Sequence, residues 1–84
     1  MFQVILENRA EKELKKLDKR FRPKVLDYLR ALKTKPLLGV KMEGNFKGLY
    51  KIKIPPLRII YQPDFKNKII FIRAIGFRGG IYKK

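Results

Sequence analysis

The chain contains no cysteine, no histidine and no serine, and these absences exclude several kinds of chemistry. Without cysteine it forms no disulfides and no thiolate metal site. Without serine, cysteine and histidine it cannot assemble a serine- or cysteine-nucleophile active site. If the protein is an enzyme, its chemistry must come from lysine, arginine and tyrosine side chains.

Acidic residues are scarce as well, since seven Asp and Glu stand against 22 Lys and Arg. Five of the seven acids lie in the first third of the chain, in stretches typical of solvent-exposed helix faces. Hydrolysis by paired carboxylates and a carboxylate cage for a metal are therefore not expected. The sequence predicts no cofactor and no metal.

Long hydrophobic runs are also missing, because no apolar stretch approaches the roughly 18 residues of a membrane span. The first residues carry neither a basic head nor a small-residue cleavage site, so no signal peptide is expected. With the lack of cysteine, this indicates a cytoplasmic protein without a membrane partner. At 84 residues and 45% hydrophobic content, residues 1–84 are expected to form one small domain.

Positive charge is what the chain has in excess, with a net charge of +15. Between residues 44 and 84, ten Lys and Arg accompany a single acid, Asp64, and the same stretch holds seven of the ten aromatic residues. A lysine-rich surface of a heat-adapted protein is one explanation. Because such charge repels itself in the folded state, a nucleic acid or an acidic protein is the expected partner.

The periodicity of apolar residues predicts a strand and then two helices in the first half. Residues 2–6 alternate as a strand, and Asn8 with Glu11 forms a capping-box pattern at the start of a first helix. A second helix is expected to begin near Pro23 and to end before Pro36. The predicted buried positions of the two helices are Ala10, Leu14, Leu17, Phe21, Val25, Leu26, Leu29 and Leu32.

Three strands are predicted in the second half, over residues 49–54, 57–62 and 69–75, after a loop at 37–47. The last strand is apolar on both faces, which indicates a central place in the sheet. Pro55 and Pro56 exclude the usual positive-φ hairpin turn, so a wider or unusual turn is expected. The fold class is therefore α+β: an N-terminal strand, a two-helix antiparallel hairpin packed on one face, and a three-stranded antiparallel meander.

Lysine and arginine side chains are expected to gather on one face of this sheet. Lys51 and Lys53 are two residues apart on one strand and project to the same side, where Arg58 on the next strand joins them if it shares that side. Arg78 follows the last strand. A solvated lysine pair on an exposed sheet is the simpler interpretation. Like charges held together cost stability, however, which favours a functional use.

Such a cluster is suited to cleaving RNA without a metal. Arginine binds phosphate oxygens bidentately and stabilises the charge of a phosphorane-like transition state. A neighbouring positive charge favours the neutral form of a lysine, which can then take the proton of a ribose 2′-OH. Tyr82 is expected either to stack on a base or to anchor the C-terminus on the sheet.

Four other residues have structural interpretations, and for two of them a functional role is equally open or is an alternative. Arg73 lies within the apolar last strand, where it is expected to be buried and to need a partner, with structural and functional roles both open. Phe77 is either a packing residue or a second stacking platform. Tyr50 and Tyr61 alternate with apolar positions and are predicted to belong to the core.

Three stretches, taken together and in order, resemble the RelE/ParE toxin superfamily, specifically the RelE-like mRNA interferases of type II toxin–antitoxin systems. These stretches are residues 10–17 in the first helix, residues 50–54 followed by 57–62 in the strand pair, and residues 75–78 followed by 81–82 at the end of the chain. The resemblance implies a microbial-ribonuclease-like sheet and cleavage of mRNA in the ribosomal A site to a 2′,3′-cyclic phosphate. It also implies neutralisation by an acidic RelB-like antitoxin. Contact with operator DNA is then expected only through that antitoxin.

The resemblance also implies roles for five residues. Lys51 and Lys53 match the catalytic lysines of the family, and Arg58 matches its phosphate-binding arginine. Arg78 matches the arginine that supports the transition state or protonates the leaving group, and Tyr82 matches the base-stacking tyrosine.

The chain departs from the family pattern at Phe77, where many relatives have His or Lys, and in the short segment between Arg78 and Tyr82. The ParE branch shares the fold but acts on DNA gyrase, generally without this basic set, so the set favours the RelE branch. A gyrase inhibitor and a non-catalytic RNA-binding module are the alternatives.

Overall fold

A five-stranded sheet with two helices on one face makes up the computed structural model, which describes residues 1–77. The elements in chain order are β1 (Gln3–Leu6), α1 (Asn8–Lys16), α2 (Arg22–Leu32), β2 (Val40–Lys41), a 3-10 turn (Gly44–Phe46), β3 (Tyr50–Ile54), β4 (Leu57–Asp64) and β5 (Ile69–Phe77). The strand order is β1-β5-β4-β3-β2, and every pair is antiparallel except β1 with β5. The predicted α+β architecture is confirmed.

The short strand β2 was not predicted. It lies in the stretch expected to be a loop and pairs Val40 with Lys51 and Lys41 with Tyr50. Two residues are too few to show an alternating pattern, so the sequence carried no signal for it. Its effect is to add an edge strand beside Lys51.

The first helix begins at Asn8, but the predicted capping box is wrong. Glu7 occupies the N-cap position, and no side chain caps the helix. The Glu7 N–H still donates to the carbonyl of Ile72 in β5, at 3.0 Å. Residue 7 therefore completes the sheet ladder and Asn8 already belongs to the helix, which leaves Asn8 no role as a cap.

The second helix has Pro23 in its first turn and ends at Leu32, before Pro36, as predicted. Leu26 is 40% exposed and does not belong to the core. Val25, Leu29 and Leu32 already form the buried stripe at helical spacing. Leu26 lies one residue further around the helix and falls on its flank.

The core lies between the helices and one face of the sheet, which we call the helical face. Its largest fully buried side chains are Tyr61, Leu32, Leu57, Ile59, Ile70, Ile72, Ile75 and Val25. Tyr61 keeps its hydroxyl satisfied by donating to the Pro36 carbonyl at 2.9 Å and accepting from the Gly39 N–H at 2.8 Å. Burial raises the pKa of the Tyr61 phenol. The core prediction for Tyr61 is confirmed, and Tyr50 packs partly buried against it.

Gly39 allows the loop before β2 to approach the sheet closely. A Cβ at this position would lie 2.6 Å from the carbonyl oxygen of Lys51 and 2.9 Å from Cε1 of Tyr61. Only glycine fits such a backbone contact. The contact holds the loop against β3 at the backbone of Lys51.

A bulge in β5 overturns the prediction for Arg73. Ile60 pairs with Ala74 but Tyr61 pairs with Ile72, so Arg73 is an extra residue in the strand. Its side chain is 42% exposed rather than buried. It donates to both carboxylate oxygens of Glu7, at 3.0 and 2.9 Å, and also to the Gln62 side-chain oxygen.

The turn between β3 and β4 consists of Pro55 and Pro56 alone, because Ile54 pairs with Leu57. The peptide bond between the two prolines is cis. The turn is therefore unusual, as predicted, but not wider. Among residues 1–77, no helix is long and apolar enough to cross a membrane.

Candidate functional site

The three predicted cationic residues of β3 and β4 lie together on the sheet face opposite the helices, which we call the open face. Side chains alternate along a strand, and Ile52 and Ile59 point into the core. Lys53 is paired directly with Arg58, and Lys51 is one alternation along the same strand. These three residues, Lys51, Lys53 and Arg58, form what we call the basic cluster.

The cluster concentrates positive charge on the open face. Lys53 is exposed, and Lys51 and Arg58 are half-buried. Within residues 1–77, no salt bridge includes either lysine. Directly opposed side chains in an antiparallel pair have Cβ atoms roughly 4.5–5.5 Å apart, so Lys53 and Arg58 can hold one phosphate between them.

Two open clefts flank the basic cluster. One, of about 270 Å³, is lined by Lys53, Arg58 and the turn between them. The other, which we call the β2 cleft, has a volume of about 440 Å³ and lies beside Lys51. Its lining residues are Val40, Lys41, Met42, Glu43, Phe46 and Lys51.

A small apolar cluster supports the open face beneath these side chains. Met42, Ile60 and Ala74 are buried together, and Leu49 packs against them. Ile60 is the direct partner of Lys51 in the sheet. The backbone under Lys51 is therefore held from both faces of the sheet, which fixes the position of the lysine stem.

Two of the predicted site residues, Arg78 and Tyr82, lie outside the described residues, and their roles remain predictions. The last described residue is Phe77, which is 54% exposed and packs edge-to-face on Phe21 with 6.2 Å between ring centroids. This contact favours the packing interpretation of Phe77. Gly76, directly before it, is paired with Arg58 and adds no side chain beside the basic cluster.

Sequence reasoning missed Glu43 and Phe46, which line the β2 cleft. Both lie within residues 37–47, the stretch predicted as a loop. The available signal was Glu43 itself, the acid that directly precedes the strongly basic half of the chain. Among residues 1–77, no group of three or more acidic side chains is placed to hold a metal ion.

Comparisons with known proteins agree with the fold and with the resemblance. Residues 4–82 match the family model described as the ParE toxin of a type II toxin-antitoxin system, parDE. The chain is 33% identical over 86 residues to the candidate toxin RelE1 of Methanocaldococcus jannaschii, covering 98% of this chain and 96% of that protein.

Solved toxin–antitoxin complexes contain the same fold. The archaeal RelE–RelB complex from Pyrococcus horikoshii OT3 aligns with a TM-score of 0.79 and 26% identity, over 94% of this chain and 97% of that chain. The RelBE2 complex from Mycobacterium tuberculosis aligns with a TM-score of 0.83 over 92% of this chain and 98% of that chain, and its 22% identity supports the fold alone. The chain belongs to the RelE/ParE family and is the toxin of a toxin–antitoxin system.

Proposed function

We propose that this toxin is a ribosome-dependent endoribonuclease that cleaves mRNA in the A site and thereby inhibits translation. The observation that carries the proposal is the basic cluster, in which Lys53 opposes Arg58 and Lys51 shares their face. A phosphodiester is the ligand that such a set of donors suits best. A RelE-like activity therefore fits the open face of this chain.

The reaction needs only groups that the chain contains. The ribose 2′-OH attacks the adjacent phosphorus, the bond to the 5′-oxygen of the next nucleotide breaks, and a 2′,3′-cyclic phosphate forms. Because the chain has no histidine, a lysine takes the 2′-OH proton, and Lys51 and Lys53 share the roles of proton acceptor and phosphate ligand.

Arginine completes this mechanism. Arg58 neutralises the charge that grows on the non-bridging phosphate oxygens. Arg78 is assigned to the leaving oxygen, which must gain a proton as the bond breaks. Tyr82 is assigned to stacking on a neighbouring base.

The shape of the open face supports the proposed dependence on the ribosome. The two clefts beside the basic cluster are open, and neither encloses a nucleotide chain. Aligning the 2′-oxygen, phosphorus and leaving oxygen contributes a large share of the rate in such reactions. We infer that the ribosome supplies this alignment in the cytoplasm and that free RNA is cut poorly.

The same surface is proposed to bind an acidic RelB-like antitoxin. The similar toxins of P. horikoshii and M. tuberculosis were solved in complexes with their antitoxins. With a net charge of +15, this chain attracts an acidic partner, and the affinity should fall as salt rises. Contact with operator DNA is assigned to the antitoxin.

A gyrase inhibitor is the second candidate, because the matching family model is that of the ParE toxin. It predicts DNA damage with intact mRNA in arrested cells. It also predicts that toxicity is unaffected when Lys51 and Lys53 are replaced.

The deciding experiment incubates the purified toxin with translating ribosomes and maps mRNA 5′ ends. The proposal expects cuts within A-site codons that become rare with Lys53→Ala and with Arg78→Ala. Lys66→Ala, a change of an exposed lysine in the β4–β5 turn, should leave the cuts unchanged. Absence of A-site cuts, or cuts of equal frequency in all three variants, would reject the proposal.

A further inference from the structure

The last strand of the sheet extends well beyond the end of the strand beside it. β1 pairs with residues 69–72 of β5, and the Glu7 N–H donates to the Ile72 carbonyl just after the last pair. Within residues 1–77, no strand pairs with residues 73–77 of β5 on this side. An N–H group that this part of β5 directs away from β4 therefore needs another acceptor, because a buried and unpaired N–H costs free energy.

A carboxylate from α1 supplies this acceptor. The Ile75 N–H donates to Oε1 of Glu13 at 2.9 Å, and Ile75 itself is almost completely buried. The other oxygen, Oε2, lies 3.3 Å from Nε of Arg9, one turn earlier on the same helix. An ion pair of this kind on a helix surface contributes little to stability. The bond to the backbone N–H is charge-assisted and therefore stronger, so the position of Glu13 is tied to the end of β5.

An aromatic contact holds the same strand end at its last described residue. Phe77 packs edge-to-face on Phe21, which precedes α2 and packs against the core. Between the two contacts lies Gly76, where a Cβ would be 3.7 Å from Oε2 of Glu13. The backbone of residue 75 and the side chain of residue 77 are thus both bound to the helical layer.

The strand end that Glu13 holds is also the neighbour of the basic cluster. Gly76 pairs with Arg58, and Arg58 pairs with Lys53, so the three residues form one row across β5, β4 and β3. A shift of β5 at this row would change the distance between the basic cluster and whatever follows the strand. Glu13 therefore acts on the site from the opposite layer, through the backbone.

The residue that follows the held segment is Arg78, which lies outside the described residues. Ile75 is buried and Phe77 contacts Phe21, so both side chains face the helices. Because side chains alternate along a strand, this arrangement predicts that the next side chain turns to the open face. The predicted role of Arg78 needs this direction, since the phosphate is assigned to that face.

We propose that Glu13 is a positioning residue for the cleavage reaction. Its carboxylate holds the backbone of Ile75 so that Arg78 reaches the leaving oxygen of a phosphate bound by Lys53 and Arg58. Glu13 does not contact the RNA. The inference rests on the proposed ribonuclease function and adds to it an acid that the sequence placed only on a solvent-exposed helix face.

A purely structural role of Glu13 is the competing explanation. In that case its loss would lower the population of folded toxin without changing the chemistry at the phosphate. A positioning role makes a different prediction, because a displacement of about 1 Å in a catalytic group can slow a reaction on the order of 10²-fold. The two roles are separated by asking whether the effect of Glu13 depends on Arg78.

The first measurement is hydrogen exchange of the Ile75 amide in the isolated toxin, compared with the amide of Ile59 in the central strand β4. Glu13→Ala should remove the protection of Ile75 relative to Ile59, whereas Glu13→Gln should retain it because the amide oxygen still accepts. Glu11→Ala, a change of an exposed acid on the same helix that faces Lys15, is the matched control and should leave both amides unchanged. Equal protection of Ile75 in wild type and Glu13→Ala would overturn the inference.

The second measurement is single-turnover cleavage on translating ribosomes at saturating toxin, with ribosome affinity and a melting curve for each variant. Glu13→Ala should slow cleavage by about 10–100-fold at unchanged ribosome affinity. Glu13→Gln should recover most of the rate, and Glu11→Ala should cleave as wild type. In an Arg78→Ala background, Glu13→Ala should slow cleavage further by no more than about twofold, because the group that it positions is gone.

The outcomes distinguish the inference from the proposed function. Equal slowing by Glu13→Ala in the wild-type and Arg78→Ala backgrounds would show a structural role alone and overturn the inference. A wild-type rate for Glu13→Ala, with Arg78→Ala slow, would overturn the inference and retain the function. Absence of cleavage by wild type would reject the function and this role with it. If Glu13→Ala does not fold, Glu13→Asp gives the same cycle, because it keeps the charge and withdraws the carboxylate by one methylene group.

Discussion

The two faces of the sheet are built from the same strands and yet have opposite tasks. Along β3, Ile52 and Ile54 point to the helices, while Lys51 and Lys53 point to the open face. The helical face contributes stability through apolar burial, and the open face concentrates charge at a stability cost. Since adjacent residues serve different faces, changes one position apart should separate folding from function.

The open face also differs in composition between the two sides of the sheet. Its β3 edge carries the basic cluster and the β2 cleft, whereas its β1 edge carries Ile5 paired with Phe71. The Arg73–Glu7 ion pair lies between the two parts, at the bulge. This ion pair therefore separates the basic cluster from the apolar β1 edge.

The largest expected effect comes from the helical face. Ile72 is completely buried, so Ile72→Ala should lower the free energy of unfolding by about 2–5 kcal/mol. This is a large fraction of the roughly 5–15 kcal/mol of a typical domain. Phe71→Ala, one residue earlier and half-buried on the open face, should cost only about 1 kcal/mol. Chemical denaturation measures the free energy of unfolding of both variants. Equal losses in the two variants would contradict the assignment of the core to the helical face alone.

The next effect is on activity rather than stability. Arg58→Ala should slow A-site cleavage by about 10²–10³-fold, the usual consequence of removing one donor to a transition-state oxyanion. Arg58→Lys should recover part of the rate, because it restores the charge without the bidentate geometry.

The measurement is single-turnover cleavage on ribosomes, accompanied by a melting curve for each variant. Lys66→Ala, in the β4–β5 turn, serves as the charge-matched control and should cleave at the wild-type rate. A wild-type rate for Arg58→Ala would contradict the assignment of Arg58 to the phosphate. A lost rate in a variant that no longer folds would be shown by its melting curve.

A smaller effect is expected at the hydroxyl of Tyr61. Tyr61→Phe leaves the Gly39 N–H and the Pro36 carbonyl without their partner and should cost about 1–3 kcal/mol. Because burial raises the pKa of this phenol, its stabilising effect is fully present below the ordinary tyrosine pKa of about 10 and is lost as pH rises through the higher folded value. The stability difference between wild type and Tyr61→Phe should therefore shrink in strongly alkaline buffer. Denaturation at pH 8 and near pH 11 tests this, and a constant difference would contradict it.

Alternation along the strands explains why much of the fold was predictable. The pattern of Tyr50, Ile52 and Ile54 against Lys51 and Lys53 fixes which face each residue occupies, because the side-chain period of a strand is two. Whether Arg58 shares their face depends on the register across the Pro55–Pro56 turn, which the sequence leaves open and the structure supplies. The lysine pair was thus accessible from local pattern alone, and the place of Arg58 beside it was not.

Other features depend on contacts between distant residues and were not predictable. The bulge at Arg73 is hidden because β5 is apolar on both faces, so an inserted residue leaves no break in the pattern. Asn8 has the sequence of a cap, but a sheet bond from Glu7 to Ile72 sets the start of the helix. Glu43 and Phe46 meet Lys51 only because the loop folds back over the open face, and a loop has no periodicity to reveal this.

The smallest expected effect tests whether the basic cluster costs stability. Lys53 faces Arg58 across the strand pair, and directly opposed like charges are destabilising by roughly 0.2–1 kcal/mol. Lys53→Gln should therefore raise the free energy of unfolding by a few tenths of a kcal/mol at low salt. The gain should fade near 1 M salt, where the screening length is about 3 Å.

Lys15→Gln on α1 is the matched control with the opposite sign, because Lys15 faces Glu11 at 3.8 Å and its loss should destabilise slightly. If Lys53→Gln instead destabilises the fold, the lysine is held for packing, and the charge of the open face needs no functional explanation.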